Sequence, residues 1–169
     1  FSPPDPYLGD GVKTPGTACN YRFEYPVTVK PFGRLNSLAF PSILPHGTTC
    51  IYTFKSTERN RIAITFHLIS LDKIISSCLT SQDDVIVYDG PDAMSPVLAQ
   101  FCHQRRRQQV ISSGHELQVV LSSRSPQGRQ GIGFNASYQF IPTDLASTVQ
   151  SLILWKERDK RGVFHMRSP

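Results

Sequence analysis

Apolar and polar residues alternate in short runs through most of this chain. In "RIAITFHLISL", Ile62, Ile64, Phe66 and Leu68 fall in one phase, with Ala63, Thr65 and His67 in the other. In "GFNASYQF", Phe134, Ala136, Tyr138 and Phe140 alternate with Asn135, Ser137 and Gln139. Period-two patterning places successive side chains on opposite faces of a strand. One apolar and one polar phase describe a sheet with one wet face, the usual state of antiparallel sheets. Further short β-rich runs are "YPVTVKPFG", "TCIYTFKS", "DVIVYDG", "QVISSG" and "ELQVVLSS", each bounded by turn residues. Many short strands at such spacing predict an all-β sandwich or barrel.

The two ends of the chain read differently. Residues 1–18, "FSPPDPYLGDGVKTPGTA", are rich in Pro, Gly and Thr and read as a linker or lead-in. Residues 19–142 hold the strands. After Pro142, Thr143 is a candidate N-cap, and Leu145, Val149, Leu152 and Trp155 recur at helical spacing. A short C-terminal helix over 143–158 is expected outside the sandwich, with an unstructured tail to residue 169.

Composition narrows the class. A chain of 169 residues suffices for one domain with a real core. Its 18% charged residues argue against disorder or a coiled coil, and 13 prolines with 11 glycines suit a turn-rich β fold. The net charge of +5 allows an acidic partner, either a protein face or a sulfated glycan. Basic residues are not interleaved with aromatics on one face, so no nucleic-acid partner is expected. No apolar run is long enough to cross a bilayer, so this segment inserts in no membrane as a helix.

Cys19, Cys50, Cys78 and Cys102 include no close C-x-x-C pair of the kind that holds zinc. An even number at wide spacing fits two disulfides in an oxidising, extracellular setting. Three pairings are open on spacing alone. Each closed loop would stabilise by roughly 3 kcal/mol through the unfolded state.

Catalytic signatures are missing. The five histidines show no H-E-x-x-H spacing, the serines no G-x-S-x-G elbow, and no phosphate-binding glycine loop is present. No enzymatic activity is expected. Asn135-Ala136-Ser137 forms an N-glycosylation sequon on the polar phase of its run. Arg105, Arg106 and Arg107 are either a solvated loop or, with Arg124 and Arg129, a patch for an anionic partner such as heparin. Arg158-Asp159-Lys160-Arg161 has the Arg-x-Lys-Arg form cut by secretory convertases after the last residue, here Arg161, although a basic tail can match by chance.

A series of motifs in order then carries a resemblance. "GRLNSLAFP" (33–41) is similar to a glycine followed by a Ser-Pro-x-Tyr-Pro turn, with Leu38 and Phe40 substituted. Cys50, Tyr52 and Phe54 resemble a Cys-x-Trp-x-Ile strand. Asp83, Val85, Val87, Asp89 and Gly90 match an Asp-x-apolar-x-apolar-x-Asp-Gly strand and turn. "SPVLAQFC" (95–102) leads to the fourth cysteine, with His103 in place of a glycine, and "ISSGHELQVVLSS" with "GFNASY" matches the last strands. From Cys19 to about Ile141 the chain resembles a CUB domain.

The resemblance implies a jelly-roll-like sandwich of two antiparallel sheets, with Cys19 paired to Cys50 and Cys78 to Cys102. It implies an extracellular module that binds a protein, secreted or on a membrane receptor. Its diverged turn and calcium positions fit a receptor-auxiliary parent of the suppressor-of-lurcher kind. The alternatives are an exosite domain of a secreted protease, or a carbohydrate-binding sandwich using Tyr52, Tyr88 and Trp155. Many CUB domains hold calcium with three acids. Two of those positions fall on Asp72 and Asp83, the third on Arg124. A guanidinium ligates no metal, so calcium is expected to bind weakly or not at all. Arg124 is expected to take the ion's electrostatic place by pairing with Asp83 or Asp72. Gly90 is expected to supply unusual turn angles, with Asp89 capping locally and Asp84 solvated.

Overall fold

The computed structural model describes residues 7, 9–75 and 77–144. Ten strands form two stacked sheets: β1 (Val12–Lys13), β2 (Tyr21–Glu24), β3 (Phe32–Asn36), β4 (Thr48–Lys55), β5 (Asn60–Ser70), β6 (Asp83–Tyr88), β7 (Val97–Phe101), β8 (Arg105–Ile111), β9 (Glu116–Ser123) and β10 (Gly133–Pro142). One sheet runs β1-β2-β4-β9-β6-β7 and the other β3-β10-β5-β8. All pairings are antiparallel except β2 with β4, which is parallel, a departure from the wholly antiparallel sheets expected.

The alternation explains the strands. Cys50, Tyr52 and Phe54 on β4, Leu117, Val119 and Leu121 on β9, and Val85 and Val87 on β6 are buried. They face Ile62, Ile64 and Phe66 on β5 and Phe134, Ala136, Tyr138 and Phe140 on β10. Aromatic rings interlock between the sheets. Tyr52 meets Phe134 edge-on at 5.5 Å across the sheets, and Phe66, on the strand next to Phe134, also meets it edge-on at 5.5 Å. Such offset and edge contacts add to the area buried.

Two expectations need correction here. Leu68 does not share the face of Ile62, Ile64 and Phe66. The β5–β10 register slips between Asn135 and Ala136, so that Asn135 opposes Leu68 while Ala136 opposes Phe66. The extra residue flips the phase. Ile69 becomes fully buried and Leu68 only partly so. Nor are residues 1–18 all lead-in. Lys13 and Val12 pair with β2, and the Asp10 N–H donates to the Arg34 carbonyl (2.9 Å). Tyr7 stacks on Tyr21 at 3.9 Å between ring centres.

Cys19 bonds to Cys50 and Cys78 to Cys102. The first tether holds the approach to β2 against β4. The second ties the β5–β6 loop to the end of β7. From residue 145 onward the chain lies outside the described residues. So do most of the expected helix, the tail, Trp155 and the site ending in Arg161.

Candidate binding surface at the loop end

The strand registers bring four connections to one end of the sandwich. These are 37–47 before β4, 71–82 between β5 and β6, 102–104 between β7 and β8, and 124–132 between β9 and β10. Two buried carboxylates organise them. Asp83, fully buried, opens β6 opposite Ser123, the last residue of β9. Its Oδ1 accepts the N–H groups of Arg124 (2.7 Å) and Ser125 (2.8 Å), and its Oδ2 accepts the Ser125 hydroxyl (2.7 Å). Three donors converging on one carboxylate satisfy the charge without a counter-ion side chain.

Asp72 is also buried, and its partner is Arg129. The guanidinium donates from Nη2 to Oδ2 at 2.8 Å and from Nε to Oδ1 at 3.3 Å, a forked pairing. The Ile74 N–H adds a third donor at 3.0 Å. Local backbone aims this arginine. The Arg129 N–H closes a turn on the Pro126 carbonyl (3.1 Å), and Gly128 takes φ +89°, where a side chain would be strained. The Lys73 N–H then donates to the Arg129 carbonyl (3.0 Å), so the 71–82 and 124–132 loops are joined twice.

This corrects the expected ion pair. Arg124 contributes its backbone N–H to Asp83, while its side chain is exposed. The cation beside Asp72 comes from Arg129. Nothing in "RSPQGRQG" distinguishes the two arginines before the turn is formed. The same contacts decide whether calcium fits. That ion needs six to eight oxygens at about 2.3–2.6 Å. Here both oxygens of Asp72 face a guanidinium, both oxygens of Asp83 are taken by N–H and O–H donors, and the third acid position is arginine. The residues present do not fit a calcium site.

Asp89 acts across the fold rather than locally. Its carboxylate accepts the Ser113 N–H (2.9 Å) and hydroxyl (2.6 Å), joining the turn after β6 to the loop before β9. Gly90 is required for space, not for an unusual φ, because a Cβ there would collide with Ser95. Asp84 accepts a hydrogen bond from Gln100 (3.2 Å), and burial raises its pKa above the usual carboxylate range.

Arg105, Arg106 and Arg107 are exposed on β8, an edge strand, and the first two lie at the loop end. Arg129 is only 30% exposed through its side chain because of Asp72. Asn135 sits on the outward face of β10, beside Asn36 of β3. Tyr52 is wholly buried, which removes it as a sugar-stacking surface. His67 Nε2 lies 2.9 Å from the Ser137 hydroxyl on an open sheet face, and no carboxylate joins them among the described residues. A cleft of about 990 Å³ lies beside β3, lined in part by Asp10, Val29, Lys30 and Phe32. Its carboxylate, Asp10, already accepts the Arg34 N–H (3.0 Å) and the Tyr138 hydroxyl (3.2 Å).

The family profile described as CUB domain matches residues 19–138. The chain belongs to the CUB domain family. Cubilin of Rattus norvegicus is 31% identical over 121 residues, covering 70% of this chain and 3% of that protein. Neuropilin and tolloid-like protein 2 of Mus musculus is 30% identical over 110 residues, covering 65% of this chain and 20% of that protein. The chain thus spans a small part of these relatives. Among solved structures, the "CUB1-EGF-CUB2 domain of HUMAN MASP-1/3" superposes with a TM-score of 0.59 at 23% identity, covering 70% of this chain and 44% of that one. The MASP-1 CUB2 domain bound to Ca2+ gives 0.57 at 18% identity, covering 70% and 96%. At that identity the likeness is one of fold. CUB domains are protein–protein interaction modules of extracellular multidomain proteins, and this one is extracellular. Among the described residues no helix is long and apolar enough to cross a membrane.

Proposed function

We propose that this CUB domain is a non-enzymatic recognition module that grips an extracellular or membrane-receptor protein through its loop end. One observation carries the reading. Ile43, Ile74 and Leu79, which are 59%, 69% and 95% exposed, all project from the loops of that end. Large apolar side chains left exposed on a polar rim mark a contact surface. Beneath them the loops are held by buried carboxylates and a disulfide, so the surface is organised before a partner arrives. Such preorganisation lowers the ordering cost of binding.

The parent we propose is a multidomain receptor-auxiliary ectodomain, a reading supported by the similarity to neuropilin and tolloid-like protein 2. The similarity to cubilin and to neuropilin and tolloid-like protein 2 gives no support to a parent of the suppressor-of-lurcher kind. Calcium plays no part in the proposed contact. Asn135 is proposed as a glycan attachment site, because it heads a sequon and takes the outward phase of β10 on the four-stranded sheet.

The test is cross-linking on cells that display the parent ectodomain, with a photoreactive group placed in turn at Ile74, at Leu79 and at Met94 of the opposite end. Adducts with a membrane or secreted protein at Ile74 and Leu79, but not at Met94, are expected. Adducts at Met94 alone would overturn the assignment. A catalytic domain in the parent chain would turn the reading to a protease exosite.

A further inference from the structure

Charge is unevenly divided along the strand axis. The loop end carries Lys73, Arg105, Arg106, Arg124 and Arg129, of which Lys73, Arg105, Arg106 and Arg124 are exposed; its acids are Asp72 and Asp83, both buried and satisfied, and half-buried Asp84, held by Gln100. The opposite end mixes signs: exposed Glu58 and Asp92 stand with exposed Lys30, Lys55 and Arg59, while Asp89 and Glu116 are half-buried. A cation bound at the loop end would have to displace the Arg129 guanidinium from Asp72 and strip three donors from Asp83. Arg129 supplies the positive charge from within the chain, so the loops need no ion to hold their shape.

We infer that the loop end is a metal-independent basic surface for an acidic protein segment that also bears apolar side chains. This rests on the reading of that end as the binding surface and adds the partner's chemistry. The exposed cations complement carboxylates. The apolar trio of Ile43, Ile74 and Leu79 selects among anions. A sulfated glycan offers nothing apolar to cover those side chains, whereas a peptide mixing acids with leucine or phenylalanine does.

The full chain is immobilised and offered a labelled peptide of mixed glutamate and leucine, the same peptide with lysine for glutamate, and heparin fragments. Each is measured in EDTA and in calcium. The glutamate–leucine peptide is expected to bind equally in both buffers, to weaken with salt, and to exceed the lysine peptide. Paired Arg105→Glu and Arg124→Glu changes, both at exposed sites, are expected to weaken it by about tenfold. Lys55→Glu at the far end is expected to leave it unchanged. A calcium requirement, or a melting temperature that rises with calcium, would overturn the metal-free claim. Heparin binding without peptide binding would make the patch a glycan site and overturn the partner assignment. Cross-linking at Ile74 that survives the two reversals sinks the acidic partner while the module's binding role stands. Loss of all loop-end adducts in the unaltered chain sinks the role itself.

Discussion

Asp84 follows a buried, fully satisfied carboxylate and has a less favourable environment of its own. Burial is the main cause of its raised pKa. The Gln100 hydrogen bond opposes the rise, neighbouring Asp83 adds to it, and Arg124 opposes it. A carboxylate with a raised folded pKa is less willing to be charged in the native state than in the unfolded chain. Its favourable contribution is present at low pH and is lost as pH rises through the folded value. Asp84→Asn removes the charge and retains an oxygen for Gln100. The variant is expected to melt above the parent at neutral pH, with a margin that shrinks as pH falls through the folded pKa. Thermal melts of both proteins across acid and neutral pH check this, and a margin that grows toward acid would refute it. The residue scale also shows where sequence reading stops. Asp72 and Asp83 could be placed at the loop end by resemblance. The cation beside Asp72 could not, because a Pro126–Gly128 turn decides which arginine faces inward.

At the scale of elements, alternation was legible wherever a strand stayed regular, as in β4, β9 and β10. It misled on β5, where apolar residues continue through "FHLIS" with no break to mark the slipped register. The parallel approach of β2 to β4 left no mark in composition either. Asp10 was missed for a similar reason, since it sits in a Pro- and Gly-rich segment that reads as a lead-in. In the structure it closes the free edge of β3. Its backbone N–H donates to the Arg34 carbonyl, and its carboxylate accepts the Arg34 N–H and the Tyr138 hydroxyl. Unpaired strand edges invite other chains, and this one is covered by a side chain that mimics a neighbouring strand. Asp10→Ala removes two hydrogen bonds to a charged acceptor. It is expected to cost about 2 kcal/mol, read as a lower urea midpoint at unchanged slope. Amide exchange at Arg34 should speed up by more than that at Leu35, which faces β10. Equal acceleration at both would mean general loosening and would remove the capping role.

The whole molecule separates a rigid aromatic core from loops held by tethers, and its two disulfides serve different parts. Cys19–Cys50, spanning 31 residues, lies within the core, with both cysteines buried. Cys78–Cys102, spanning 24 residues, fastens the rim, and Cys78 is partly exposed. Loop closure alone predicts nearly equal stabilisation, roughly 3–4 kcal/mol each, because the entropy varies only with the logarithm of loop length. The native states differ more. Cys19→Ser with Cys50→Ser leaves two hydroxyls in an apolar interior, adding a desolvation cost of about 1–3 kcal/mol for each that finds no partner. The same change at Cys78 and Cys102 leaves one hydroxyl within reach of water. The core pair is therefore expected to lose more stability in urea. The rim pair should retain the near-ultraviolet dichroism of the packed rings while losing loop-end cross-linking. If the rim pair proved the costlier of the two, or abolished the aromatic signal, the core and the loop end would be one cooperative unit. Recognition could then not be altered without unfolding the sandwich.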